Sequence, residues 1–176
     1  MKKILILALL AITVISASAK GPKRGFRIGV NTGYVLATEE GVFNNWNIDV
    51  TPGAQILPWF YVGGGVGLEV FTKTGLGTPL DLPIFGEVKF FLPTSSFAQP
   101  YIDLRGGYAI NLSKTDDCGL IDATIGVELA EHFNVSLGYN GHLYSREYTY
   151  KVDKVYQTYT QSYTASGLIL RVGYRF

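Results

Sequence analysis

From Leu168 to Phe176 the chain changes character at every step. Leu168, Leu170, Val172, Tyr174 and Phe176 occupy one parity; Gly167, Ile169, Arg171, Gly173 and Arg175 occupy the other. A period of two is that of a β-strand, whose side chains point alternately to opposite faces. One face of this segment is wholly apolar. The other is mostly small or charged.

The same alternation recurs along the chain. Phe133, Val135, Leu137, Tyr139 and Leu143 alternate with Asn134, Ser136, Gly138, Asn140 and His142. Ile121 to Leu129 alternates with Asp122, Thr124, Gly126 and Glu128, and Ile102 to Leu112 with Asp103, Arg105 and Gly107. Leu82, Ile84, Val88 and Phe90 alternate with Phe85, Glu87 and Lys89. Phe60 to Val70 alternates with a glycine-rich parity ending in Glu69, and Phe26 to Leu36 with Arg27, Gly29 and Asn31. The weakest segment is 47–57, because Pro52 removes a ladder donor; a bulge or irregular stretch is expected there.

Hydrophobic residues reach 47%, yet they are dispersed at alternate positions after residue 19. No run there approaches the roughly twenty apolar residues of a spanning helix. Dispersed apolar alternation fits the other backbone that can cross lipid, the closed barrel. Eight segments joined by short connections predict an all-β fold, an eight-stranded antiparallel up-and-down transmembrane β-barrel.

The charges set inside from outside. A charge facing lipid near the midplane costs about 2–4 kcal/mol, so the charged parity is expected to face the lumen. The inward set is Arg27, Lys89, Arg105, Arg171 and Arg175 against Asp49, Glu69, Glu87, Asp103, Asp122 and Glu128. The near balance suits a closed interior, where buried charges need partners. Folding 85–92 onto 100–112 about Ser96 puts Lys89 opposite Asp103 and Glu87 opposite Arg105.

The first nineteen residues read as a secretory signal peptide: Lys2 and Lys3, an apolar stretch from Ile4 to Ile15, then Ala17-Ser18-Ala19. Cleavage is expected before Lys20, leaving residues 20–176 as the barrel domain. Losing the two lysines takes the formal charge from +1 to −1, so nothing points to nucleic acid. Cys118 is the single cysteine and makes no internal disulfide; a loop thiol without a role is expected.

The terminal strand, with Leu170, Val172, Tyr174 and the aromatic Phe176, resembles the C-terminal strand of bacterial outer-membrane proteins. Over residues 20–176 the pattern is similar to the small outer-membrane β-barrel family, the OmpA/OmpX-type barrels of Gram-negative bacteria. The resemblance implies an integral protein of the outer membrane, surrounded by its lipid. Leu170, Val172, Tyr174 and Phe176 would serve as the membrane-insertion signal read by the barrel-assembly machinery, and periplasmic chaperones would carry the chain. It implies structural, adhesive or envelope-protective roles and a monomer. No peptidoglycan-binding domain is expected after the barrel.

Leu57-Pro58-Trp59, Pro93 to Gln99 and Ala130-Glu131-His132 are expected as periplasmic turns. Segments 37–46, 72–79, 113–118 and 146–163 are expected to be extracellular. Phe26, Trp59, Phe60, Phe90, Tyr101 and Phe176 at one level, with Tyr34, Trp46 and Tyr108 at the other, are expected to form interfacial girdles. The last long connection reads REYTYKVDKVYQTYTQSYT, rich in strand formers around a plausible Asp153-Lys154 turn. It is expected to continue the final two strands as a protruding hairpin. Tyr148, Tyr150, Tyr156 and Tyr159 are its candidate surface-binding residues, toward an extracellular ligand or host surface.

Catalytic patterns are weak. His142 is followed by Ser145 three positions on, which places the two on opposite strand faces. His132 lies in a turn, Asp116-Asp117 in a loop, and Gly63-Gly64-Gly65 precedes no helix and so is no phosphate loop. No catalytic residue, metal site or cofactor is expected. The leading reading is a non-enzymatic barrel that binds through its loops. A lipid-modifying enzyme, a narrow channel and an accessory subunit of an envelope machine are the alternatives.

Overall fold

The computed structural model of the chain describes residues 24–38, 44–72, 79–92, 94, 97–112, 117–152 and 155–176, the backbone alone within 146–159. The expected signal peptide, Ser96, Asp116 and the Asp153-Lys154 turn lie outside the described residues. Eight strands follow one another: β1 (Gly25–Ala37), β2 (Asn45–Leu57), β3 (Phe60–Phe71), β4 (Leu80–Phe91), β5 (Ala98–Asn111), β6 (Cys118–Leu129), β7 (Phe133–Val152) and β8 (Val155–Arg175). Each pairs antiparallel with the next, and β1 pairs with β8, so the sheet closes into a barrel. Closure matters in lipid because no water is there to satisfy the main-chain groups of an edge.

The alternation becomes an inside and an outside. Phe26 and Phe176 are each 70% exposed, whereas Arg175, beside Phe176 in sequence, is 2% exposed. Ile48, Val50, Ile102, Leu104, Leu137, Leu168 and Leu170 all face outward. Asp49, Asp103, Arg105, Ser136 and Arg171, from the intervening positions, are buried. A water-soluble barrel would show the reverse.

The β4–β5 register pairs Glu87 with Arg105 and Lys89 with Asp103, as the fold about Ser96 predicts. β2 runs on through Pro52, but its ladder to β3 lapses at Thr51 and Pro52, as expected within 47–57. Val50↔Val66 and Gly53↔Gly63 share one register on either side of it, and Pro52 itself faces Ile28. A shift of register follows between Gln55 and Leu57, within the same segment. Gln55 pairs with Tyr61 but Leu57 pairs with Phe60, so the tight Pro58-Trp59 turn is accommodated by one extra residue, Ile56.

Aromatic clusters gather at two levels. Trp59, Phe60 and Phe90 touch in sequence, with centroids 5.7 and 5.3 Å apart, and Tyr34 lies 4.7 Å from Trp46 at the other end of the wall. Tyr101, expected in the girdle, lies in the lumen at 3% exposure. Its odd position in β5 gives it the parity of Asp103 and Arg105. The β6–β7 turn holds Ala130 and Glu131 at φ 52° and 64°, the left-handed region. His132 N–H donates to the Leu129 carbonyl at 3.1 Å, closing a turn of the kind that ordinarily favours Asn-Gly.

Candidate functional site

The lumen is built in tiers by residues of one parity from all eight strands. At the base, Glu128 accepts from Arg27 Nη1 at 3.0 Å and meets Arg175 Nη1 at 3.0 Å. The Arg175 guanidinium lies 4.6 Å from the Tyr61 ring and 5.7 Å from that of Phe91. Tyr101 packs 5.5 Å from Phe91 and beneath Lys89. Tyr61 donates to the Thr51 carbonyl at 3.2 Å. Its ring occupies space left by glycine: a Cβ at Gly53 would stand 2.5 Å from Tyr61 Cζ, and one at Gly63 3.0 Å. The glycine-rich β3 parity therefore makes room for one buried ring.

The middle tier is a network of ions. Arg105 reaches Glu87 at 2.7 Å, Asp49 at 3.1 Å and Asp103 at 3.3 Å. Lys89 reaches Glu87 at 3.2 Å and Asp103 at 3.6 Å. Arg171 meets Asp122 at 2.6 Å and stands 4.0 Å from both Asp49 and Asp103. Asn31 donates to Asp49 and Asn140 to Asp122, each at 2.7 Å. Some of these contacts join adjacent strands, and others bridge non-adjacent ones, Arg105 with Asp49 from β5 to β2 and Arg171 with Asp122 from β8 to β6. Across the three tiers, every charged residue expected inward is buried.

In the upper tier the sequence placed Glu69 and His142 on the inward parity but did not join them. His142 Nε2 and Glu69 Oε2 lie 2.9 Å apart across the lumen, and Phe71 packs 5.9 Å from the imidazole. Asn111 hydrogen-bonds the buried Asp81. Cys118, expected as a loop thiol, is the first residue of β6 and is buried. Strand parity could have placed Asp81 inside as well, but not joined it to its partner.

Little in the lumen supports catalysis. His142 is buried against Glu69, while Ser145 is exposed on the other face. His132 stacks on Tyr174 at 5.4 Å in its turn. Among the described residues no three His, Cys, Asp or Glu side chains assemble to hold a metal. An eight-stranded interior is just wide enough for its own side chains, and here rings and paired ions fill it.

Above the barrel the wall narrows to a hairpin. β6 and β7 pair as far as Cys118↔Tyr144, and β1 and β8 as far as Ala37↔Gly167. The last described tie is Thr38, whose N–H donates to the Ser166 carbonyl at 3.0 Å. β7 and β8 run on together to Val152↔Val155. The eight residues 145–152 extend β7 by about 27 Å, at about 3.4 Å per residue. Tyr144 and Tyr163 stack at 4.9 Å at its root, and residues 160–164 are exposed. Tyr148, Tyr150, Tyr156 and Tyr159 lie on the projecting strands; their side chains are outside the described residues.

No family model matches the chain, and no curated protein does. Solved structures do. Neisserial surface protein A matches with a TM-score of 0.58 at 15% identity, over 90% of this chain and 98% of that one. OprG of Pseudomonas aeruginosa matches at 0.54 and 13%, over 90% and 99%. The N-terminal β-barrel domain of Pseudomonas aeruginosa OprF matches at 0.53 and 11%, over 88% and 100%. The chain has the fold of the small eight-stranded outer-membrane β-barrels, and its apolar outer wall is that of a membrane-spanning barrel.

Proposed function

We propose that the chain is a non-enzymatic, integral outer-membrane protein that binds an external surface through its projecting β7–β8 hairpin, on a barrel that serves as scaffold. The observation that carries this reading is the pairing of β7 with β8 far beyond the last described pair of either with β6 or β1. Such a hairpin offers unpaired main-chain groups on two edges, and edges of this kind take up extended partners. The Tyr-rich sequence of 146–164 adds amphipathic side chains of the sort enriched at binding surfaces. The filled lumen supports a scaffold over a conduit.

Trimming 148–162 to a short turn tests the reading. Adhesion of cells to host-cell or matrix surfaces is expected to fall to background while the barrel still reaches the outer membrane. Undiminished adhesion would refute it. Leu170, Val172, Tyr174 and Phe176 are proposed as the strand read by the barrel-assembly machinery. Replacing Phe176 with Ala is expected to lower the yield of membrane-inserted protein more than the stability of protein refolded in detergent.

A further inference from the structure

The two edges of the hairpin differ in kind. The β7 arm beyond the barrel, 145–152, carries Arg146, Glu147 and Lys151. Charged residues, lysine above all, are how strand edges are kept from pairing with other chains. The β8 arm, from Val155 to Ser166, reads VYQTYTQSYTAS: twelve residues with no charge, no proline and no glycine. Uncharged segments of strong β-preference without proline are the ones that pair with copies of themselves. One edge is guarded and the other open.

The open edge has a known direction of aim. The Ser166 carbonyl accepts from Thr38, so residue 166 turns its main-chain groups to the side vacated by β1. The β7–β8 register is unbroken along the hairpin, so residues 164, 162, 160, 158 and 156 aim theirs to the same side. Above Ser166 no described strand lies beside those groups. Topology then selects the partner. Copies side by side in one membrane run their β8 strands in the same direction, and an antiparallel match would need the guarded β7 edge. A copy held in a facing membrane runs its β8 in the opposite direction. Two open edges then meet antiparallel about a two-fold axis, the isologous and stronger ladder, with no like charges opposed.

We infer that the hairpin's partner is a second copy of this chain on an apposed membrane, joined edge to edge through β8. This rests on the hairpin being the binding element. The test uses the full chain reconstituted in two populations of phospholipid vesicles, with docking between them read by energy transfer between lipid dyes. Wild-type vesicles are expected to dock. Ser162→Pro removes an edge N–H that β7 does not use, and proline is tolerated at such positions. It is expected to slow docking about tenfold or more, since several edge hydrogen bonds go with the ladder, at unchanged thermal unfolding. Thr160→Lys supplies the missing guard and is expected to do the same should the proline variant fold poorly. Docking no faster than that of protein-free vesicles, or equal docking by both folded variants, would overturn the inference. So would crosslinks confined to copies in one vesicle. Hairpin-dependent matrix adhesion without vesicle docking would refute the homotypic partner and leave the binding role standing; loss of both would refute both.

Discussion

The lumen and the hairpin are made of the same two strands and are held by different forces. Below Tyr144, β7 and β8 have neighbours on both sides and side chains locked by ions that cross the barrel, such as Arg171 with Asp122. Above it, among the described residues, they pair only with each other. A buried ion network is rigid because every member has a partner, and removing one leaves a charge in a medium that cannot solvate it. A two-stranded ribbon alone in water is marginal and has unpaired groups to offer. The molecule therefore separates stability from recognition along the length of single strands.

That separation can be broken at its strongest point. Glu128→Ala removes the carboxylate shared by Arg27 and Arg175, leaving Arg27 only the partly exposed Glu131 at 3.6 Å, and is expected to cost about 3–5 kcal/mol, read from urea unfolding in detergent or vesicles. The fraction that remains folded is expected to bind through its hairpin as before. His142→Ala leaves Glu69 without its cross-lumen partner, and a loss of about 1–3 kcal/mol is expected in the same assay. Ala130→Gly acts the other way. It relieves a left-handed residue in the β6–β7 turn and is expected to stabilise by about 0.4–1 kcal/mol. Trimming 148–162 is expected to move barrel stability by less than about 0.5 kcal/mol, because β7 and β8 pair there beyond their last pairs with β6 and β1. In planar bilayers, single-channel recording of the intact protein is expected to show no discrete steps, since the ions of the middle tier are paired across the lumen.

How far the sequence revealed this follows from what each signal measures. The period of two reports which face a residue takes, so the eight strands and the burial of Asp49, Asp103 and Arg171 were legible. Four charges of alternating sign were enough to set the β4–β5 register. Parity says nothing about which side chains meet across a closed barrel. Arg105 with Asp49, and His142 with Glu69, depend on how the sheet curls and staggers, which no local pattern encodes. Tyr101 misled because an aromatic near a strand end suits a lipid girdle and a lumen equally by type; its odd position was the better guide. Pro52 marked the right strand: the ladder to β3 lapses beside it, while the shift of register comes at the turn after Leu57, which proline alone does not encode. The hairpin was legible in outline from its strand-forming composition. Its open edges were not, since they depend on where β1 and β6 stop.

Grafting is the sharpest test of a recognition element that works apart from its scaffold. Residues 145–163 moved onto the corresponding strands of a second eight-stranded barrel, one that does not adhere, are expected to transfer adhesion to that barrel. A graft that folds, displays the hairpin and still fails to adhere, beside a trimmed parent that adheres undiminished, would place recognition elsewhere in the molecule.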